Sequence, residues 1–380
     1  MSSPPDLLAD LPDIFEIGGV LRRYDWGSTR MLQELLGAEP DGRPAAELWF
    51  GGHQGDPSPA LGTTLDRLLA SEPLPFLTKI LAAERALSIQ VHPTRAQAEA
   101  GFDREEATGI PREARERNYV DRNHKPELLC ALTPFEALCG FRPVDRTLAL
   151  LDEVALPELG FVADALRGPD GLRAAFTAVL HHADPAALAH ALASAEHPDL
   201  WPVRRAAEHF PGDVGVVLAV LLNPVRLEPG QAIYLGAGNV HAYLRGMGVE
   251  VMASSDNVLR CGLTSKHIDV AELLAITDFR ELDDPVREPE QVGPAWWDYP
   301  VPVPDFLLRR LDLDAEDCSV EETAAPQIVL CVAGHVTAGV NGTSVDLAPG
   351  RAAFVPARRG NVLLRGAGRV CVVGSRADRG

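Results

Sequence analysis

Ala86-Leu87-Ser88-Ile89-Gln90-Val91-His92-Pro93 is the stretch from which the rest of this chain can be read. Side chains alternate across a β-strand, so apolar Leu87, Ile89 and Val91 fall on one face and Ser88, Gln90 and His92 on the other. A hydroxyl, an amide and an imidazole on one face of a core strand call for polar partners. Three further segments supply them: His124-Lys125-Pro126-Glu127, Asn239-Val240-His241-Ala242-Tyr243 and Ser255-Asp256-Asn257-Val258-Leu259-Arg260. We read these as one metal-centred pocket in a mainly β protein.

The chain has 380 residues, room for two or three domains with adequate cores. With 35 basic and 54 acidic residues the net charge is −19, which argues against nucleic acid or an anionic membrane surface as partner. An anionic substrate then needs a local cluster of Arg and Lys. Six scattered cysteines with no Cys-x-x-Cys pair favour free thiols in a reducing compartment. The start, Met1-Ser2-Ser3-Pro4-Pro5-Asp6, lacks the basic and apolar regions of a signal peptide. The most apolar run, Val214 to Leu222, is about half the length that spans a bilayer. The expectation is a soluble, cytoplasmic protein, read as a monomer.

Residues 1–10 read as a loose arm. Strands are expected over Phe76–Ala82, Ala86–Val91, Pro126–Leu132 and Phe135–Phe141. Residues 95–118 read as helical, with Pro111 in a first helical turn. From Val144 to His209 apolar residues recur at helical spacing, as in Leu172, Ala175, Phe176 and Val179, and Asp184-Pro185 has the form of an N-cap and first-turn proline. Val214 to Leu222 reads as a buried helix. Asp283 to Pro304, rich in Pro and acidic residues, reads as a linker, and Phe306 to Val373 as short strands. Asn341-Gly342 between apolar runs is the signature of a hairpin turn.

An internal repeat organises the β part. Leu227-Glu228-Pro229-Gly230-Gln231-Ala232 and Leu347-Ala348-Pro349-Gly350-Arg351-Ala352 share Leu-x-Pro-Gly-x-Ala at an offset of 120 residues, each followed by an aromatic residue and a turn. Two related β-barrels of jelly-roll type account for it, and coincidence in so short a match is the alternative. At the same offset His241 meets Asn361, so the second barrel is expected to hold no metal. The division expected is 1–143 and 211–282 for a catalytic barrel, 144–210 for a helical insertion and 283–380 for a second barrel.

Gln90, His92, Glu127 and His241 offer two imidazoles, a carboxylate and an amide oxygen; the imidazoles and the carboxylate suit Zn²⁺ with an open position, and the amide oxygen is a weaker and less usual donor. Satisfied polar core residues are the alternative. Lys125 shares a strand face with Glu127, and Tyr243 with His241. Glu250 lies among Val249, Val251 and Met252, a setting that can raise a carboxylate pKa, or it forms a salt bridge at a rim. Arg260 and Lys266 flank a glycine turn with two hydroxyls, an arrangement for phosphate or simply two exposed cations. Gly236-Ala237-Gly238 is not a dinucleotide fingerprint, because the third glycine position holds His241.

The chain also resembles the type I phosphomannose isomerase family. The resembling segments are Tyr24-Asp25-Trp26-Gly27-Ser28, Ala46-Glu47-Leu48-Trp49-Phe50-Gly51, Leu87 to Pro93, Asp121-Arg122-Asn123-His124-Lys125-Pro126-Glu127 and Tyr234 to Ile268. The resemblance implies two cupin-type barrels, a helical domain and one zinc ion per chain. It implies Gln90, His92, Glu127 and His241 as metal ligands and Arg260 as the active-site arginine. It places Lys125, Glu250, Asp256 and Tyr243 around the sugar, and Ser88 and Lys266 near the phosphate. Departures are small: Cys261 stands where glycine is commoner, and His267 where tyrosine is. The implied reaction interconverts mannose 6-phosphate and fructose 6-phosphate by proton transfer between C1 and C2 through an enediol, with Lys125, Glu250 and Asp256 as candidate bases. The competing readings are a non-catalytic sugar-phosphate-binding cupin and a metal-dependent cupin oxygenase. Neither needs both a phosphate anchor and a base.

Overall fold

The strand His241–Ala253 runs through the middle of an 11-stranded sheet and changes partners along its length. Its first half pairs with Ile89–Val91 and Phe135–Phe141, its second half with Phe76–Ala83 and Glu127–Ala131. The change falls at Gly246, whose φ of 127° lies outside the range of ordinary side chains, and a Cβ there would come within 2.7 Å of Phe135 and of the Pro134 carbonyl oxygen. The sheet therefore bends about this strand into two leaves. The computed structural model describes residues 11–314 and 317–376. The expected N-terminal arm lies outside the described residues.

A second sheet of nine strands is built mainly from the C-terminal part, with Gln327–Val340 and Val362–Gly374 as its longest members. The fold is thus mostly β with helices between the strands. The expected jelly-roll barrels are not closed by hydrogen bonding: among the described residues the strand order of neither sheet returns on itself. The change of partners at Gly246 opens one sheet into leaves instead of closing it. The two sheets share one core, in which Phe76, Ile80 and Val249 pack with Phe306, Ile328 and Phe354. They also exchange strands. Phe15–Ile17 pairs with Ala352–Val355 in the second sheet, and Val286–Arg287 adds to the first through Ala232–Leu235.

The repeat has a structural counterpart. The strands Ala232–Leu235 and Ala352–Val355 lie at the offset of 120 residues, and each follows a Pro-Gly turn whose glycine is left-handed, Gly230 at φ 97° and Gly350 at φ 76°. Asn341 and Gly342 have φ of 48° and 87°, as a two-residue hairpin turn of the I′ kind requires, and they join Gln327–Val340 to Thr343–Leu347.

Helices fill the stretch from Val144–Val154 to Trp201–Ala207 as the periodicity indicates. The Asp184 carboxylate caps the Pro185–Ser194 helix by accepting the Ala187 N–H. Val214–Leu218 is helical and continues as a 3₁₀ turn over Ala219–Leu221 before the strand Leu222–Leu227 starts. Two expectations fail locally. The helix Arg95–Thr108 stops at left-handed Gly109, and no helix follows Pro111; Arg117 instead ties the turns back to Glu105. The expected linker from Asp283 holds three short strands, Val286–Arg287, Glu290–Gly293 and Trp296–Tyr299, with prolines only at their ends.

Candidate active site

Strand register builds the site. Trp49, Lys79, Glu250 and Leu129 are consecutive cross-strand partners on four neighbouring strands, so their side chains share one face. Glu47 and Glu127 each lie two residues from a member of this row and join the same face. On the other leaf Gln90 is opposite both His241 and Arg260. The bend in His241–Ala253 folds the faces together, and the Tyr243 hydroxyl donates to Glu250 at 2.8 Å.

Where the leaves meet, His92, Glu127 and His241 place one ligand atom each within 4.8 Å of one another. The Nε2 atoms of His92 and His241 each lie 3.4 Å from a different oxygen of Glu127. Both histidines are fully buried. Each ring turns its Nδ1 toward a backbone carbonyl, His92 to Asn257 at 2.8 Å and His241 to Asn239 at 3.0 Å. With Nδ1–H donating there, each Nε2 carries a lone pair aimed at a carboxylate. Both Nε2 atoms and Glu127 Oε2 are buried without a hydrogen-bond partner. A divalent cation resolves this juxtaposition, and the donor set fits Zn²⁺. The protonation states agree. Burial pushes His92 down to about 4, keeping it neutral. Burial opposes the charge of Glu127, but Lys125, 3.0 Å away, and the imidazoles outweigh it and hold the carboxyl well below its usual range.

In front of this group opens a cleft of about 780 Å³, lined by Gln90, Glu127, Ser88, Lys125, Tyr243, Glu250, Asp256, Arg260 and Lys266. It thus gathers nine of the residues singled out in the sequence, with His92 and His241 behind its wall. Burial raises the Glu250 carboxyl, with Glu127 and Glu47 adding to the effect against Lys79. Asp256 sits at the mouth and pairs with His53 at 3.2 Å. Arg260 and Lys266 are close enough that Arg260 is the main cause of a lowered Lys266 pKa, burial being the second. Two cations that destabilise each other at the edge of a cleft suit a dianion.

Sequence reasoning missed Lys79, Glu47 and Trp49. Lys79 is 6% exposed and lies 3.0 Å from Glu250 and 3.5 Å from Glu47, with Trp49 donating its indole N–H to Glu47 at 2.9 Å. Burial disfavours the Lys79 charge, but Glu250 and Glu47 overcome it and raise its pKa, so it is a fixed cation at neutral pH. The signal was available: a lysine in the middle of the mostly apolar run Phe76-Leu77-Thr78-Lys79-Ile80-Leu81.

The segments carrying Glu127 and Arg260 are clasped together. Asn257 Nδ2 donates to the Asp121 and Asn123 carbonyls, both at 2.9 Å, and its Oδ1 accepts the Val120 N–H. Asp121 accepts from the Ser255 hydroxyl and the Asp256 N–H. The carbonyl of that same Asn257 orients His92.

Residues 14–144 match the family model described as phosphomannose isomerase type I, catalytic domain, and residues 297–375 that of the mannose-6-phosphate isomerase cupin domain. The mannose-6-phosphate isomerase of Escherichia coli (strain K12) is 38% identical over 385 residues, covering 93% of this chain and 97% of its own. This chain belongs to the mannose-6-phosphate isomerase family. The Salmonella typhimurium family member is 39% identical over 383 residues, with 93% and 97% coverage. Its crystal structure with fructose 6-phosphate and zinc matches at a TM-score of 0.89 and 34% identity, over 96% of this chain and 100% of that one. The human family member is more distant, 30% identical over 417 residues and covering 94% of each chain.

Proposed function

We propose that the protein is a zinc-dependent aldose-ketose isomerase that interconverts mannose 6-phosphate and fructose 6-phosphate. The observation that carries this is the buried group of His92, Glu127 and His241, its Nε2 atoms freed by carbonyl-bound Nδ1 atoms, at the back of a cleft with two cations at its edge. Family membership supports the substrate, and the Salmonella relative binds fructose 6-phosphate and zinc.

His92, Glu127 and His241 hold the zinc, one ion per chain, with the Gln90 amide as a further ligand. When bound, zinc polarises the sugar oxygens. Arg260 and Lys266, with Ser88, receive the phosphate edge of the substrate, and Arg260 also stabilises negative charge that develops on the enediolate. The C1–C2 proton is moved by a base among Lys125, Glu250 and Asp256. Glu250 is set apart by its raised pKa and by the Tyr243 hydroxyl and Lys79 ammonium on its two oxygens. Lys79 positions that carboxylate and supplies fixed positive charge. An oxygenase has no use for the Arg260–Lys266 pair, and a simple binder none for the Lys79–Glu250–Tyr243 chain.

The fold reading that goes with this is two open jelly-roll units of cupin type, 1–143 with 211–282 and 283–380, with 144–210 as a helical unit between the halves of the first. The repeat of Pro-Gly turns and the cupin-domain match over 297–375 support it. The reaction is tested by incubating the protein with fructose 6-phosphate in D₂O and following the sugar by NMR. A cis-enediol route yields mannose 6-phosphate with deuterium exchanged into the transferred position. No mannose 6-phosphate in the presence of zinc overturns the assignment.

A further inference from the structure

A second hollow, of about 530 Å³, lies at the seam between the helices and the first sheet, and it shares no lining residue with the catalytic cleft. Arg142 lies between the strand Phe135–Phe141 and the helix Val144–Val154, and Arg146 lies in the first turn of that helix. The strand Leu222–Leu227 contributes Asn223 and Arg226 to the lining. Arg142 is 6% exposed, its Nε has no hydrogen-bond partner, and among the described residues its guanidinium forms no ion pair. A guanidinium this buried, with an unpaired Nε and no carboxylate in contact among the described residues, facing a hollow, calls for an anion there.

The neighbouring groups do not fill that role. Glu153 is taken up by His197 at 2.9 Å. Arg226 lies over the Trp201 ring at 4.4 Å. The Asn223 amide is spent on the carbonyls of Cys139, Phe141 and Leu282. Asp199 and Asp283 are exposed on the rim. Arg146 faces the same space and also forms no ion pair among the described residues. Burial lowers the Arg142 pKa, Asp199 opposes that, and Arg146 adds to it.

We propose that this hollow is a second anion site, in which Arg142 and Arg146 bind a phosphate-class oxyanion away from the catalytic cleft. A guanidinium presents paired N–H groups that match two oxygens of such an ion, and two of them suit a dianion. The site is independent of the isomerase reading, since none of its residues touches the cleft.

The test titrates the full chain with inorganic phosphate by calorimetry in phosphate-free buffer, in a background with Arg260→Ala and Lys266→Ala that weakens the anchor in the cleft. Phosphate binding should persist there, and adding Arg142→Met should weaken it by about tenfold or more. Arg146→Ala, on the exposed side of the helix, should weaken it similarly and gives the same reading where Arg142→Met does not fold. Arg142→Met alone should leave kcat and KM for mannose 6-phosphate unchanged. Acetate should bind at least about tenfold more weakly than phosphate, as a monoanion meeting two cations. The proposal is overturned by disappearance of phosphate binding with Arg260 and Lys266, by unchanged binding in Arg142→Met or Arg146→Ala, or by acetate binding as well as phosphate.

Discussion

Lys79 stands between Glu47 and Glu250, and all three are buried. Removing the ammonium leaves two carboxylates facing each other with little water to screen them. Lys79→Met should cost roughly 3–5 kcal/mol of stability in denaturant unfolding and lower kcat/KM on mannose 6-phosphate by about tenfold or more. Adding Glu250→Gln should restore part of the stability and none of the activity. Recovery of both would reduce Lys79 to a structural ion pair. Arg260 and Lys266 should fail differently from each other. In the proposed mechanism Arg260 meets charge that develops during reaction, so Arg260→Ala should lower kcat and kcat/KM together. In the same proposal Lys266 holds a phosphate whose charge is constant, so Lys266→Ala should mainly raise KM. A change confined to KM in Arg260→Ala would contradict that division. At this scale the sequence was legible where polar residues broke an apolar alternation, as at Gln90 and His92. Lys79 obeys the same rule, but an isolated lysine gave no hint of its two carboxylate partners, one of which is 171 residues away.

Between elements, the clasp of Asn257 with the turn at Asp121 sets the direction of the His92 ring. Asn257→Ala removes the side chain that pins this turn while leaving every proposed ligand in place. Zinc affinity should fall about 10–100-fold, read by competition with a chromophoric chelator. An unchanged affinity with only a lower Tm would mean that the clasp holds the fold and not the metal. The elements themselves were readable to different degrees. The helical stretch, the Asp184 cap and the Asn341-Gly342 turn follow from local chemistry, and the structure has them. The stretch from Asp283 reads as a linker because Pro285, Pro289, Pro294 and Pro300 are conspicuous, yet each lies outside the short strands. Val286–Arg287 is made by pairing with the distant Ala232–Leu235, and the other two by pairing with each other and with Leu307–Asp314, and composition does not carry pairing.

Across the whole molecule, the chain leading into the second sheet is fastened to the segment that carries Lys125. Asp305 accepts from His124 at 3.0 Å and from Arg95 at 3.3 Å, and His124 directly precedes Lys125. Burial raises the Asp305 carboxyl, but His124 and Arg95 outweigh it and set its pKa below the ordinary value. A carboxyl depressed in the folded state contributes stability that is present above its unfolded pKa, about 3.9, and is lost as pH falls through the folded value. Asp305→Asn should therefore be less stable than the parent at neutral pH, with the difference shrinking below about pH 4. Thermal unfolding across that range checks it, and a difference that stays constant down to pH 2 would contradict it. The repeat spacing marks two Pro-Gly turns, one leading into a strand of each of the two sheets. It did not disclose their shared core or the strands Phe15–Ile17 and Val286–Arg287 that they exchange, because those depend on long-range pairing.

The central claim is that His92, Glu127 and His241 hold one zinc ion on which isomerisation depends. The most direct measurement titrates metal-depleted protein with zinc, reading bound zinc per chain and turnover of mannose 6-phosphate from the same samples, with His241→Ala in parallel. Turnover should rise in proportion to zinc up to one equivalent, while His241→Ala binds no stoichiometric zinc and stays inactive. Full turnover in the zinc-free protein, or one tightly held zinc in His241→Ala, would contradict the account.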